Sequence, residues 1–530
     1  MAITTTNVQK YNSSYQKLPT VARISAATLL LLSSHSYAGD WKITPNVSVK
    51  ETYSDNVRLA APGKEDSDFV TQINPGISVT GTGARLKLNG RYTMQNIFYA
   101  SDSGANTTNH QLNGNATAEL WEDILFIDGK ASISQQNMSN FGTQAQDNTN
   151  ITSNRTNVTT YSISPYIHHH FKNFASTETR FTHDSVTTDS SGMRDSQADR
   201  FQFSLTSGKD FGRLGWGLHY SKQKTGFSSK SGVTAQTSTE MENYSADLRY
   251  RVTPQFSLTA VAGEQQNSYQ SLTGKSSGGT YWNGGFTWNP SQRTSISGNA
   301  GHQFYGNSYA FKADHRSRRT LWNINYSEDI TSTRDQFLAP TAISTAEFLV
   351  KSHVFDTLPE ADRLAAAEAF VVANGLPLAL AENINYFTNR YFLQKRLQAS
   401  VSLTGVRNTV VLSLFDATRE AQTAQTADSL LLGPLDRSLN DSTKSTGVNL
   451  LWNWRIAPQT SANLNAGFTR TTSETTNRQD DNKTLRISLT QQFQPKLNGM
   501  IELRHLERDS NQNTGNYSEN ALTASVNMNF

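Results

Sequence analysis

Two clusters of histidine, acid and serine are the residues whose types could do chemistry. His168-His169-His170 is a run of potential metal ligands, and His183-Asp184-Ser185 sets a base, an acid and a hydroxyl side by side. A zinc site needs three or four donors converging on one point. Nucleophilic catalysis needs a nucleophile, a base and an orienting group on one side of a cleft. On a strand, neighbours point to opposite faces, so only His168 and His170 share a side and the His-Asp-Ser triplet is split. Glu65-Asp66-Ser67-Asp68 and Asp480-Asp481 offer carboxylates for calcium but lack the ligand spacing of a defined calcium loop. Solvated loop tips are the simpler reading. No metal site, catalytic residue or cofactor is expected, and the chain is read as a non-enzyme.

The elements that carry these residues follow from composition and period. Hydrophobic residues make up 36% of the 530-residue chain, yet there are 19 Tyr, 25 Phe and 8 Trp and no Cys. So many aromatics exclude a disordered chain, and the absence of cysteine excludes disulfides and thiolate metal sites. Lys10, Lys17 and Arg23 precede the apolar run 26–32, and Ser36-Tyr37-Ala38 follows. Residues 1–38 therefore read as a secretory signal peptide. The run is too short to anchor as a helix, which needs about 20 apolar residues. Without those three basic residues the remainder balances 44 basic against 44 acidic groups (47 less three against 44), which offers no basic face to nucleic acid.

After residue 38 the dominant period is two. In 244–252, Tyr244, Ala246, Leu248, Tyr250 and Val252 alternate with Ser245, Asp247, Arg249 and Arg251, and the same pattern recurs in 280–288, 448–454 and 485–493. Short turn-rich connections at 80–83, 121–124, 171–174, 210–213, 253–255, 289–292, 457–460 and 494–496 alternate with long polar ones such as 138–156, 185–198, 224–241 and 417–443. Trp121, Phe211, Trp216, Phe256, Trp288, Trp454 and Phe493 lie close to the short turns. Alternating strands, unequal connections and an interfacial aromatic girdle predict an all-β fold: a large antiparallel transmembrane β-barrel over 39–530. A soluble β-sandwich accounts for neither the loop asymmetry nor the leader.

The last strand fits that reading. Leu522, Ala524, Val526, Met528 and Phe530 alternate with polar residues up to the terminal aromatic, and the strand must pair with 41–49 to leave no backbone edge in lipid. Candidate strands number about 21, an odd count for a bacterial barrel, which indicates about 20 to 22. Strand 319–326 is expected to descend to the periplasm, and so is 395–403, which places the conflict in 331–388. That stretch also breaks the period. Residues 358–377 are rich in Ala, Leu and Glu, with Thr357 and Glu360 at capping-box spacing and a stop at Gly375 and Pro377, and 345–354 is a shorter helical candidate. Leu364, Ala367, Phe370, Val371 and Asn374 share one helix face, while Glu360, Asp362, Arg363 and Glu368 stay wet or pair inside. One α-helical insertion is therefore expected as a plug or cap, because helical backbone has no place in the lipid-facing wall.

Residues 41–57, 326–337, the insertion ending in 374–377, and 407–415 together resemble outer-membrane β-barrel proteins associated with the PEP-CTERM/exosortase system. The resemblance implies the outer membrane of a Gram-negative bacterium and a role beside exopolysaccharide production and export. Separately, the alternating last strand ending in Phe530, with Met528 and Val526, resembles the signal read by the outer-membrane assembly machinery of Gram-negative bacteria. Expected partners are outer-membrane lipid, that machinery, exopolysaccharide and periplasmic export components. Two functions stay open: a porin-like pore or scaffold whose lumen is lined by Arg249, Arg251, Arg396, Gln398, Glu502 and Arg504, or a closed structural or adhesive barrel in which the same charges pair inside. An outer-membrane hydrolase is the least favoured alternative.

Overall fold

The computed structural model describes residues 39–189, 194–228, 238–269, 271–272, 277–339, 344–351, 360–373, 387–423, 439, 441–512 and 515–530. The leader at 1–38, together with Thr357, Asn374, Gly375, Pro377 and the side chains of Glu360 and Asp362, lies outside them.

The strands are β1 (Gly39–Ser54), β2 (Asp68–Gly83), β3 (Leu86–Tyr99), β4 (Thr107–Trp121), β5 (Leu125–Asn137), β6 (Arg155–Phe171), β7 (Ala175–Thr188) and β8 (Ser196–Ser207). Then come β9 (Leu214–Phe227), β10 (Ser238–Thr253), β11 (Phe256–Asn267), β12 (Gly279–Ser291), β13 (Thr294–Gln303), β14 (Gly306–Arg316) and β15 (Thr320–Ser332). After the insertion follow β16 (Tyr391–Thr404), β17 (Asn408–Ala421), β18 (Ser442–Ala457), β19 (Thr460–Ser473), β20 (Gln479–Gln494), β21 (Leu497–Ser510) and β22 (Tyr517–Asn529). The described helices of the insertion are α1 (Thr333–Leu338), α2 (Thr345–Lys351) and α3 (Glu360–Ala373).

All 22 strands form one antiparallel sheet that closes on itself. The seam is β1 against β22, with Val49 opposite Val526 and Tyr53 opposite Leu522, and the Phe530 amide donates to the Pro45 carbonyl at 2.9 Å. Closure leaves no unpaired strand edge facing lipid.

Alternation sorts the side chains. Ile43, Val49, Ile163, Leu248, Leu258, Ile487, Leu503 and Leu522 are exposed on the outer wall, an apolar band that in water would be an aggregation surface and in a bilayer is solvated by lipid. Trp121, Trp288, Trp454 and Phe493 are exposed beside the short turns, where rings sit at the headgroup level. The protein is an outer-membrane β-barrel. Short turns such as 254–255, 292–293 and 458–459 mark the periplasmic end, which also holds Gly39 and Phe530; long connections at 55–67, 138–154 and 333–390 mark the extracellular end.

One expectation about direction is overturned. Residues 319–326 begin β15, which rises from the periplasmic turn 317–319 rather than descending, whereas 395–403 descends in β16 as expected. The even count comes from β13 and β14, which fold back at Phe304-Tyr305 before Gly306, whose φ of 123° suits glycine. A two-residue aromatic turn carries none of the polar loop composition that marks the other extracellular connections. The insertion therefore leaves β15 at the extracellular end.

Candidate functional site

The candidate site is the lumen. A barrel of 22 strands encloses more space than wall side chains can fill, and here two extracellular connections enter it.

The described parts of the insertion lie at two depths of the lumen. Near the top, Arg334 of α1 pairs with buried Asp184 of β7 and donates to Ser196 at 3.1 Å. Phe337 and Leu338 pack beside Val158, Val186 and Phe387. Ser332 caps α1, its hydroxyl accepting from the Asp335 amide, which turns the chain inward directly from the strand. Lower down, Ala346, Phe348 and Leu349 of α2 and Ala367 and Val371 of α3 form one buried cluster with Val411 of β17 and Leu451 of β18, and Leu321 at the base of β15 packs against it. Leu321 and Val411 lie near the periplasmic ends of their strands, so the helix pair sits deep. Across the lumen, Glu368 of α3 accepts a hydrogen bond from Asn89 and faces Arg91 of β3; burial raises its carboxyl above the ordinary range, against the pull of Arg91.

The connection 138–154 closes the upper lumen from the other side. Asp147 pairs with Arg504 of β21, and Arg504 is held by Glu519 of β22 at 2.9 and 3.2 Å. Asn150 donates to the same Glu519 at 2.7 Å. The Gly142 carbonyl accepts from Arg508, whose guanidinium also meets Asp480 at 2.6 Å. Burial by itself would raise the Asp147 carboxyl, but Arg504, Arg486 and bonds from Thr149 hold it well below the usual carboxylate range. The two intruding segments touch where the Phe387 amide donates to the Met138 carbonyl at 2.9 Å.

The lumen is consequently filled on one side. Along β16 and β17 the inward residues Phe392, Gln394, Arg396, Gln398, Ser400, Ser413, Phe415 and Arg419 are all buried. On β4 to β14 the inward positions are mostly half-buried or exposed, which leaves that wall open to water.

The expected lumen residues divide between these halves. Arg396, Gln398, Glu502 and Arg504 are buried on the filled side; the Arg396 guanidinium lies 5.9 Å from the centre of the Phe415 ring, and Glu502 is 3.8 Å from Arg486. Arg249 and Arg251 face the open lumen near the periplasmic end of β10 and are exposed. Val526, Met528 and Phe530 point outward on the lipid side of the closing strand. In α3, Val371 is buried and Phe370 packs on the cluster, but Leu364, expected beneath the same cover, is 39% exposed. The contact stripe is narrower than the helical period implied.

The chemically suggestive runs separate. Asp184 enters the lumen to meet Arg334, while His183 faces outward and bonds Asp199 at 2.7 Å. His168 and His170 face the lumen with ring centres 4.4 Å apart. Among the described residues no group of three His, Cys, Asp or Glu could hold a metal ion. The acidic runs are engaged by arginines: Asp66 by Arg58 at 3.1 Å, Asp480 by Arg508, and Asp481 by Arg470 at 2.7 Å. Sequence reasoning missed Asp147, Arg334, Arg508 and Glu519. For Arg508 and Glu519, charged residues at inward positions near the extracellular ends of strands were the available signal, but it names no partner; Asp147 and Arg334, outside the strands, carried none.

No protein-family model matches the chain, and no curated protein matches it. Among solved structures it is similar to the FrpB iron transporter from Neisseria meningitidis at 9% identity and a TM-score of 0.47, covering 92% of this chain and 82% of that one. It is also similar to the siderophore receptor PirA from Pseudomonas aeruginosa (9%, TM-score 0.44, 92% and 80%) and to PirA from Acinetobacter baumannii (10%, 0.44, 92% and 80%). The barrel assignment rests on this chain's own strand pairing.

Proposed function

We propose that this protein is a gated outer-membrane conduit serving exopolysaccharide export in the PEP-CTERM/exosortase setting that its sequence resembles. The observation that carries the reading is the division of the lumen: a polar, water-accessible wall beside a filling made from the chain's own extracellular connections. A barrel needed only as a wall has no use for a connection of 333–390 when ordinary links take a handful of residues. The α2–α3 pair sits at the periplasmic third, where an export component could engage it and draw it aside.

Replacing 341–380 by a short Gly-Ser bridge should preserve heat-modifiable assembly and raise single-channel conductance in planar bilayers. Unchanged conductance in a correctly assembled deletion would rule out the gate. The buried Arg504–Glu519 and Arg508–Asp480 pairs favour a second reading, a closed structural or adhesive barrel; silence of both intact protein and deletion under all voltages would select it.

A further inference from the structure

The open wall carries one continuous row of polar side chains. Direct register places Tyr166 opposite Arg180, Arg180 opposite Gln202, Gln202 opposite Ser221, Ser221 opposite Asn243 and Asn243 opposite Gln265. Their strand neighbours Ile167, Phe181, Phe201, Tyr220 and Tyr244 lie on the outer wall, so the row faces the lumen. Barrel strands tilt, so a row running across them climbs the wall. Tyr166 lies nearer the periplasmic end of β6, whereas Gln265 is close to the extracellular end of β11. At an interstrand spacing of about 4.8 Å the five steps span roughly 24 Å.

The chemistry along this path is uniform. Its upper part borders a recess of about 280 Å³ whose amides and hydroxyl come from Gln202, Ser221, Gln223, Asn243 and Gln265, with Arg200, Met241 and Glu242 completing the lining. Amide and hydroxyl groups each offer both a donor and an acceptor, which matches the hydroxyls of a sugar. At its lower end Tyr166 is held between Phe126, whose ring stacks on it with centres 5.1 Å apart, and the Arg180 guanidinium, 3.8 Å from the Tyr166 ring centre, so the stack fixes the row at its base. Charge sums to zero along the way: Arg180 meets both Asp128 at 2.7 Å and Glu178 at 3.0 Å, and that extra carboxylate offsets Arg200, which stays a cation and donates to Gln223 at 2.8 Å.

We propose that this row is a saccharide-binding track that takes neutral, hydroxyl-rich sugar units along the open wall. The proposal rests on the conduit reading and adds the ligand class and the residues that hold it. The cancelled charge is what selects neutral sugars over polyanions.

The test is saturation-transfer NMR and calorimetric titration of the full-length, detergent-solubilised protein with maltoheptaose, cellohexaose and oligogalacturonate. Binding of a neutral probe is expected, weakened roughly tenfold in a Gln202→Leu, Asn243→Leu, Gln265→Leu triple variant and unchanged in Asn299→Leu, which lies on the same wall off the row. Asn243→Leu alone gives a smaller loss and serves if the triple variant fails to assemble. No binding of either neutral probe to heat-modifiable protein, an unweakened Asn243→Leu, or tighter binding of oligogalacturonate overturns the track. A conducting barrel that binds no sugar removes the track and spares the conduit; a silent barrel that binds sugar does the reverse.

Discussion

At the scale of single residues, Arg504 joins the connection 138–154 to the closing strand, meeting Asp147 and Glu519 at once. Its side chain is 1% exposed and that of Glu519 is 0%, so neither charge has water to fall back on. Removing one partner of such a pair leaves an uncompensated buried charge, at a cost of about 3–5 kcal/mol. Arg504→Ala should lower the temperature at which the heat-modifiable form is lost and increase channel openings. The Arg504→Met, Glu519→Leu double variant should recover part of the barrel's thermal resistance while the openings persist, because Asp147 then keeps only Arg486 of the two cations that hold it. If both variants keep the original melting and gating, the pair is not the tie. Asp147 also gives this tie a pH dependence of definite sign. A carboxyl held below its ordinary value stabilises the folded state above the unfolded pKa of about 3.9, and that contribution is lost as pH falls below it.

At the scale of elements, alternation made nearly every strand legible, since a wall between lipid and a polar lumen imposes period two along its whole length. β22 shows it most fully, from Leu522 to Met528, and closure gives that strand a task no interior strand has. Deleting Phe530 removes the amide that bonds Pro45 and the outward ring at the periplasmic rim. The truncated chain should fail to reach a heat-modifiable state in membrane fractions, whereas Phe530→Trp should reach it; normal insertion of the truncation would show that the terminal aromatic is dispensable. The β13–β14 hairpin was not legible because Phe304-Tyr305 is a turn set by Gly306 rather than by loop composition. Helices α2 and α3 were legible because Ala, Leu and Glu at helical spacing cannot satisfy a strand, whereas the short α1, begun by the Ser332 cap, was not anticipated.

At the scale of the whole molecule, closure depends on how the α2–α3 pair seats against walls on opposite sides of the lumen. Glu368 reaches the far wall at Asn89 and Arg91, and burial raises its carboxyl. A raised carboxyl favours the seated state when protonated, so that contribution is present at low pH and is lost as pH rises through the raised value. Lowering pH from neutral toward the ordinary carboxyl range should therefore reduce channel openings. Glu368→Gln should give the low-opening state at neutral pH and flatten the profile; a profile that keeps its full slope in this variant would assign the dependence elsewhere.

The sequence by itself determined the barrel, the outer membrane, the closing strand and the presence of a helical insertion, because each follows from a period or composition that repeats along the chain. It could not determine which end the insertion leaves from, since one unmarked hairpin inverts the direction of every strand between it and the next fixed point. Nor could it say whether inward charges pair or line water. Arg504 and Arg249 occupy equivalent positions in the alternation, yet one meets Glu519 at 2.9 Å and the other is exposed on the open wall. That difference depends on which connection folds back over which arc of the ring, and contacts between residues hundreds of positions apart leave no local trace. Asp147 and Glu519 meet at Arg504 only because the closed ring brings the neighbourhood of β5 back to β21 and β22.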